Sequence, residues 1–365
     1  MTARPNYIDD PRFNQTFELP ADPAKGRVSP FKVKYADFGY RNKTHPEQEN
    51  VLLFFAPMMG SRLLHIAKDD IARKHKIRII SPDRPGIGGT DVVDQKIRMS
   101  FWREVNIALL RHLEIEHVSV ASHSGGTIYA LDFVLNYPEI LHPERPYLAI
   151  GAPWILPSHT SSATMRMAQL LPASIIDHTD KFVSLINNYI SPAVAASVGF
   201  SQPVIHKLAP PRPESASDVR DGEDNDGIRF EEELLQDIIN HIYTESTKGI
   251  SDDAVLFMQK NEGVWGDWGD YDTLVPRLEQ ALRTAGRRLS IDVFFAENDF
   301  MVGDGGTKGT LWFDQCWDLQ HEDGPIKYRS TIVRGADHNE IWNLRWGAAQ
   351  VVLNRISPSV PDSSS

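Results

Sequence analysis

The chain of 365 residues is 41% hydrophobic and 24% charged, which is enough apolar material to bury one large core or two closely joined domains and excludes disorder throughout. Its 38 Lys and Arg face 49 Asp and Glu, and the resulting formal charge of −11 opposes nonspecific attraction to nucleic acid or anionic lipid. No run approaches the roughly 18 apolar residues of a membrane span, the start carries no basic segment followed by an apolar stretch, and the single cysteine, Cys316, offers neither an internal disulfide nor a thiolate metal site. The expectation is a soluble cytoplasmic protein without stable membrane insertion, acting on a small molecule; its oligomeric state is left open.

Taken in chain order, residues 51–55 and 77–81 are apolar runs bounded by turn signals and predict buried strands, with a helix over 63–74 between them. Residues 101–113 place Val105, Leu109, Leu110 and Leu113 at helical spacing and lead into a short strand at 118–121. A helix over 127–137 stops at Pro138, and 147–150 again reads as strand. This alternation predicts a mostly parallel central sheet flanked by helices, an α/β fold.

Beyond Pro153 the rhythm changes, because 165–199 and 229–260 read as helical with no strand between them. Residues 156–272 are therefore expected to form an inserted helical lid, interrupted at 209–227 by a Pro-, Ser- and acid-rich loop too polar to bury much surface. The core, begun in residues 1–155 with an N-terminal extension, resumes over 273–357. It has a helix at 273–285, a strand at 290–296, a helix at 311–319, a strand at 328–333 and a closing helix at 341–355. Residues 358–365 read as a polar, frayed tail.

The sharpest chemical signal is Ser122-His123-Ser124-Gly125-Gly126, placed where a predicted strand runs directly into a helix. It resembles the nucleophile elbow, G-x-S-x-G, of the α/β-hydrolase fold superfamily, with Ser122 in place of the first glycine. Small residues two before and two after the serine let strand and helix approach, and Gly126 matches. A serine hydroxyl becomes a good nucleophile only when a base accepts its proton, so a histidine and an orienting carboxylate are required elsewhere.

The resemblance supplies their chain order, nucleophile then acid then histidine, on loops after late strands. Glu297-Asn298-Asp299 follows the penultimate predicted strand and resembles the family's acid loop, which implies Asp299 as the acid. Arg334-Gly335-Ala336-Asp337-His338 follows the last predicted strand and resembles the Gly-x-x-His loop, which implies His338 as the base. Asp337 and Glu297 are the adjacent alternatives for the acid, Asp337 reading better as pointing elsewhere or capping the closing helix.

Ala56-Pro57-Met58-Met59 stands where the family usually has His-Gly, which implies Met58 and Gly125 as backbone donors of the oxyanion hole, Pro57 having no N–H. Ser81-Pro-Asp-Arg-Pro-Gly-Ile-Gly-Gly-Thr90 resembles the family's Asp-x-x-Gly-x-Gly turn and reads as structural. Met59, His123, Trp154, Trp265 and Trp268 are expected to line the substrate pocket, although Trp265 and Trp268, with Phe257 and Met258, read equally well as burying the lid against the core. No cofactor and no metal are implied. A Ser-His-Asp hydrolase of an ester, lactone, thioester or activated carbon–carbon bond is the expectation, since Ser124 speaks against the family's Asp-nucleophile members. A non-hydrolytic isomerase, cyclase or lyase using His338 and Asp299 is the alternative, and a ligand receptor a third reading.

Overall fold

A computed structural model describes residues 7–162, 165–166, 169–170, 225–260, 266, 268–303, 308–318 and 323–357. One eight-stranded sheet organises them in the order β1-β2-β4-β3-β5-β6-β7-β8. Strands β1 (Gln15–Leu19) and β2 (Phe31–Gly39) pair antiparallel with each other, and β2 pairs antiparallel with β4 (Ile77–Pro82). From β4 through β3 (Asn50–Phe55), β5 (Ser119–Ser124), β6 (Tyr147–Pro153), β7 (Leu289–Asn298) and β8 (Ile326–Asp337) every pairing is parallel.

The central strands are buried along their length because both faces are covered. Every residue of β4, β5 and β6 is buried, whereas edge strand β8 exposes much of its length. Successive side chains of β3 go to opposite faces: Leu53 and Phe55 join the apolar cluster on one side of the sheet, Leu52 and Phe54 that on the other. The first cluster is closed by helices α2 (Arg98–His112), α3 (Gly126–Asn136), α5 (Lys248–Phe257) and α6 (Tyr271–Thr284). The second is closed by α1 (Asp69–Lys74), α4 (Asn225–Thr244) and α8 (Ala348–Ile356), while the short helix α7 (Thr310–Cys316) adds Phe313 to the first. Among the described residues no helix is long and apolar enough to cross a membrane.

The predicted strands and the alternation are found, with local corrections. The helix expected over 63–74 is α-helical only at Asp69–Lys74, after a 3-10 turn at Ile66–Lys68. Its first part is held as a turn because the Arg62 amide donates to the Asp83 carboxylate at 2.5 Å and the Leu63 amide to Ser61 Oγ at 3.2 Å. The helix expected over 229–260 is two helices broken at 245–247, where the Gly88 amide donates to the Ser246 carbonyl oxygen. The closing helix begins only at Ala348, because Gly347 takes a left-handed φ of 80°. Strands β1 and β2 lie in what the sequence offers only as an N-terminal extension. Most of the helix expected at 165–199, residues 209–224 of the expected loop, Trp265 and the tail at 358–365 lie outside the described residues, whereas 225–227, the expected end of that loop, instead open α4.

The crossing of α3 over β3 fixes the geometry of the whole centre. A Cβ on Gly126 would stand 2.2 Å from the Phe55 carbonyl oxygen and 2.7 Å from that of Ala56. Both neighbours are backbone, so nothing there yields cheaply. Gly126→Ala is expected to lower the thermal unfolding midpoint by several degrees, corresponding to at least about 2 kcal/mol of overpacking. An unchanged midpoint in a scanning calorimeter would show that the strand–helix crossing is looser than described.

Candidate active site

Ser124 ends β5 at the point where the β5–β6 register shifts, and it takes a φ of +50°, in the left-handed region that non-glycine residues seldom adopt. Gly125 follows in right-handed helical conformation (φ −55°, ψ −23°) as the N-cap of α3, so its amide belongs to the opening turn of a helix, where N–H groups lack intrahelical partners. Ser122, the departure from the glycine of the elbow pattern, is accommodated: it is fully buried, and its carbonyl oxygen accepts from Trp342 Nε1 at 3.1 Å.

Three side chains meet at this turn. His338, just beyond β8, has Nε2 2.8 Å from Ser124 Oγ and Nδ1 2.8 Å from Asp299 Oδ2. A carboxylate only accepts, so Nδ1 carries the proton and the Nε2 lone pair faces the serine hydroxyl. Asp299, just beyond β7, is held in turn by the amides of Met301 and Val302, each donating to Oδ1 at 2.9 Å. Ser124 and His338 are both buried.

The adjacent carboxylates are occupied otherwise. Asp337 Oδ1 accepts from the Asn339 and Glu340 amides, each at 2.9 Å, capping the turn after the strand. Glu297 Oε2 accepts from the Gly335 amide at 2.8 Å. Phe300 meets the imidazole of His338 edge-to-face, with ring centroids 5.6 Å apart and planes at 60°.

The remaining expected site residues are distributed unevenly. Met58 is buried and Met59 packs against the core on the loop after β3. Trp154 is buried just beyond β6, its amide donating to the Ser124 carbonyl oxygen at 3.2 Å and its ring 5.2 Å from that of Phe257. Trp268 instead donates from Nε1 to Asp132 Oδ1 at 3.2 Å, partway down α3, which favours its reading as a residue that fastens its segment to the core.

His123 also departs from expectation. It is buried next to His338, with Nε2 donating to the carbonyl oxygen of His338 at 2.7 Å, so that nitrogen is taken up by the backbone. Burial, with the neighbouring His338 adding to it, pushes its pKa down from 6.5 to about 3. His65 is likewise buried and its pKa pushed well down, by burial and then by the charge of Lys68.

The sequence reading missed a second cluster, built on Arg84 of the 81–90 turn. Its Nε donates to Asp253 Oδ2 on α5 at 2.8 Å, Nη1 to the Ala56 carbonyl oxygen at 2.6 Å, and Nη2 to those of Pro57 and Met58 at 2.7 and 2.8 Å. The other oxygen of Asp253 accepts from Arg98 Nε and Tyr129 Oη, both at 2.7 Å. Burial alone would raise the Asp253 carboxyl pKa, but the charges of Arg98 and Arg84 outweigh it and hold the group below the usual carboxylate range. A charged residue inside a glycine-rich turn was the only sequence signal for this cluster.

No protein-family model and no curated protein sequence matches the chain. Solved structures do. An enol-lactonase of Burkholderia xenovorans is similar over 94% of this chain and 100% of its own, with a TM-score of 0.57 at 10% identity. An esterase of Thermogutta terrifontis is similar over the same shares, with a TM-score of 0.56 at 12% identity. A carboxylesterase of the thaumarchaeon Nitrososphaera gargenis is similar over 93% of this chain and 97% of its own, with a TM-score of 0.51 at 15% identity. At such identities the likeness is one of architecture, and it agrees with the strand order and the elbow: the chain has the α/β-hydrolase fold.

Two expected outcomes follow from this geometry. Asp299→Asn, whose oxygen stays with the Met301 and Val302 amides and which therefore turns a neutral NH2 donor toward Nδ1, lowers turnover by at least about a hundredfold with the circular dichroism spectrum unchanged, and Asp337→Asn costs far less; the reverse ranking in folded variants would overturn the assignment of the acid. The second concerns His123. Its folded pKa is depressed, so the unfolded chain binds a proton below about pH 6.5 that the folded chain refuses until about pH 3, and stability is lost as pH falls through that window. His123→Gln keeps an N–H for the His338 carbonyl and is expected to lose less stability than wild type between about pH 7 and about pH 5 in urea titrations. Identical losses would mean that His123 takes up its proton without unfolding.

Proposed function

We propose that this protein is a serine hydrolase of the α/β-hydrolase fold, cleaving an ester, lactone or thioester of a small, largely apolar molecule through an acyl-enzyme. Cleavage of an activated carbon–carbon bond uses the same atoms. The observation that carries the reading is the chain Asp299 Oδ2 to His338 Nδ1 and His338 Nε2 to Ser124 Oγ, both 2.8 Å, on a serine whose φ is +50°. Carboxylesterases and lactonases among the structural neighbours agree with it.

In this mechanism Ser124 Oγ attacks the carbonyl carbon while its proton passes to His338 Nε2, and the electron pair of the carbonyl π bond moves to oxygen. The amides of Gly125 and Met58 receive that oxyanion. Collapse expels the leaving group, which takes the proton from His338, and leaves Ser124 acylated. A water then gives its proton to His338 and adds to the acyl carbon; collapse releases the acid and returns the proton to Ser124. Asp299 stays ionised throughout and stabilises the imidazolium.

An apolar substrate is favoured by the residues around the turn: Met58, Met59, Trp154 and Phe300. The segment 156–272, whose α4 and α5 lie beside the core, we read as the lid-type insertion that shapes this pocket. Soluble, cytoplasmic small-molecule metabolism is the setting that fits one lone cysteine and a net charge of −11.

The test is a fluorophosphonate probe followed by turnover of the natural class of ester. Wild type is expected to be labelled on Ser124, and Ser124→Ala to lose label and about a thousandfold or more of the rate. Turnover close to wild type in Ser124→Ala, with loss in His338→Ala, would contradict covalent hydrolysis and favour acid–base chemistry by the histidine alone.

A further inference from the structure

We propose that helix α5 is part of the catalytic frame rather than a movable cover: one face of it, through Asp253 and Phe257, sets both backbone segments that supply the oxyanion-hole amides. The proposal rests on the serine-hydrolase reading above and names the positioning residues of that site.

Asp253 and Phe257 stand four residues apart in α5 and so share one helix face. Asp253 holds Arg84, and Arg84 holds three successive carbonyl oxygens of the loop after β3: those of Ala56, Pro57 and Met58. In a trans peptide the C=O and the following N–H point opposite ways. With the Pro57 and Met58 carbonyls drawn toward one guanidinium, the amides of Met58 and Met59 are therefore turned away from it. A planar fork with several fixed donors orients peptide planes in a manner that a point charge does not.

Phe257 acts on the other segment directly. Its ring lies so close to Gly125 that a Cβ there would stand 2.3 Å from Phe257 Cε2. The ring is itself fully buried, 5.2 Å from Trp154 and 6.0 Å from Tyr129. Tyr129 closes the circuit by donating to Asp253 at 2.7 Å, and its ring also lies beneath Arg84, 5.6 Å from the guanidinium carbon.

The start of the helix is tied as firmly. The Gly249 amide donates to the Gly86 carbonyl oxygen at 3.0 Å, and a Cβ on Gly249 would strike the Pro85 carbonyl oxygen at 2.1 Å. Arg98, fully buried, joins Asp253 to the Pro85 carbonyl oxygen. Helix α5 thus has no room to swing away without uncovering three buried charges. Oxyanion donors act only if they are preorganised, because the stabilisation appears when charge develops and reorganisation at that moment would consume it. Arg84, Asp253 and Phe257 are positioning residues in this account; none need touch the substrate.

The experiment compares wild type with Arg84→Lys and Asp253→Asn, using p-nitrophenyl butyrate for turnover, fluorophosphonate titration to count functional Ser124, and an alkyl trifluoromethyl ketone whose hemiketal with Ser124 carries a full oxyanion. Arg84→Lys keeps a cation for Asp253 and loses the fork; Asp253→Asn keeps the fork and loses its anchor. Each is expected to lower kcat per titrated site by at least about tenfold, with KM within about twofold and ketone affinity reduced by a similar factor to kcat. Variants that lose thermal stability but keep kcat per titrated site and ketone affinity would overturn the proposal, leaving these residues a purely structural role. Should neither variant fold, Phe257→Leu decides by the same readouts. A wild-type protein that neither labels nor binds the ketone contradicts the serine-hydrolase reading and this proposal together, whereas normal binding by wild type and folded variants alike contradicts this proposal alone.

Discussion

The left-handed backbone at Ser124 is the constraint on which the other contacts at the centre depend. A φ of +50° costs an L-residue on the order of 1–3 kcal/mol and persists only where the surroundings over-determine it. Here the strand before it is buried on both faces, the helix after it is pressed against the Phe55 and Ala56 carbonyls at Gly126, and Trp342 bonds the Ser122 carbonyl from beneath. The strain turns the hydroxyl out of the sheet, where the loops after β7 and β8 bring Asp299 and His338 to it. Strand order makes this possible: β5 lies central, and β7 and β8 follow on the same side through β6, all parallel, so their carboxyl ends lie along one edge.

Around that turn, polar groups are buried in closed sets rather than singly. Asp253 is shared by two arginines and a tyrosine. Glu231 on α4 bonds Lys68 and also accepts from the Leu344 amide at 2.6 Å. Arg62 bridges Asp83 and Glu245, at 2.6 and 2.7 Å. Each set joins the core to α4, α5 or the turn between them. Breaking a buried pair by removing one partner costs roughly 3–5 kcal/mol, because it strands a charge, so these sets fix position more than they add net stability.

Much of this was legible in the sequence because it depends on local pattern. Strands such as β3, β6 and the start of β7 read as apolar runs, and Asp299 follows such a run, whereas Ser124 and His338 were placed by the motifs that follow their strands, since β5 carries four polar residues and edge strand β8 is largely exposed. What was not legible depends on contacts distant in sequence. Arg84 and Asp253 are 169 residues apart, and only the folded chain makes them partners. The helix expected at 63–74 lost its first turns to the Asp83 carboxylate, 21 residues on from Arg62. His123 and Trp268 were expected in the pocket on residue type, yet the hydrogen bond each makes, to the His338 carbonyl and to Asp132, ties it to the frame. Strand β1 is only five residues long with Phe17 and Leu19 buried, and β2, though nine residues long, interleaves Lys32, Lys34 and Asp37 with its apolar residues, so neither reads as a continuous apolar run.

The central claim is that Ser124 carries the acyl group between two half-reactions. Rapid acid quench of the protein mixed with p-nitrophenyl butyrate, followed by peptide mass spectrometry, tests it most directly. A butyryl group on the peptide that contains Ser124, formed within the first turnover and absent in Ser124→Ala, is the predicted result. Turnover without any acylated peptide under conditions where release is slow, or acylation confined to another residue, would contradict it.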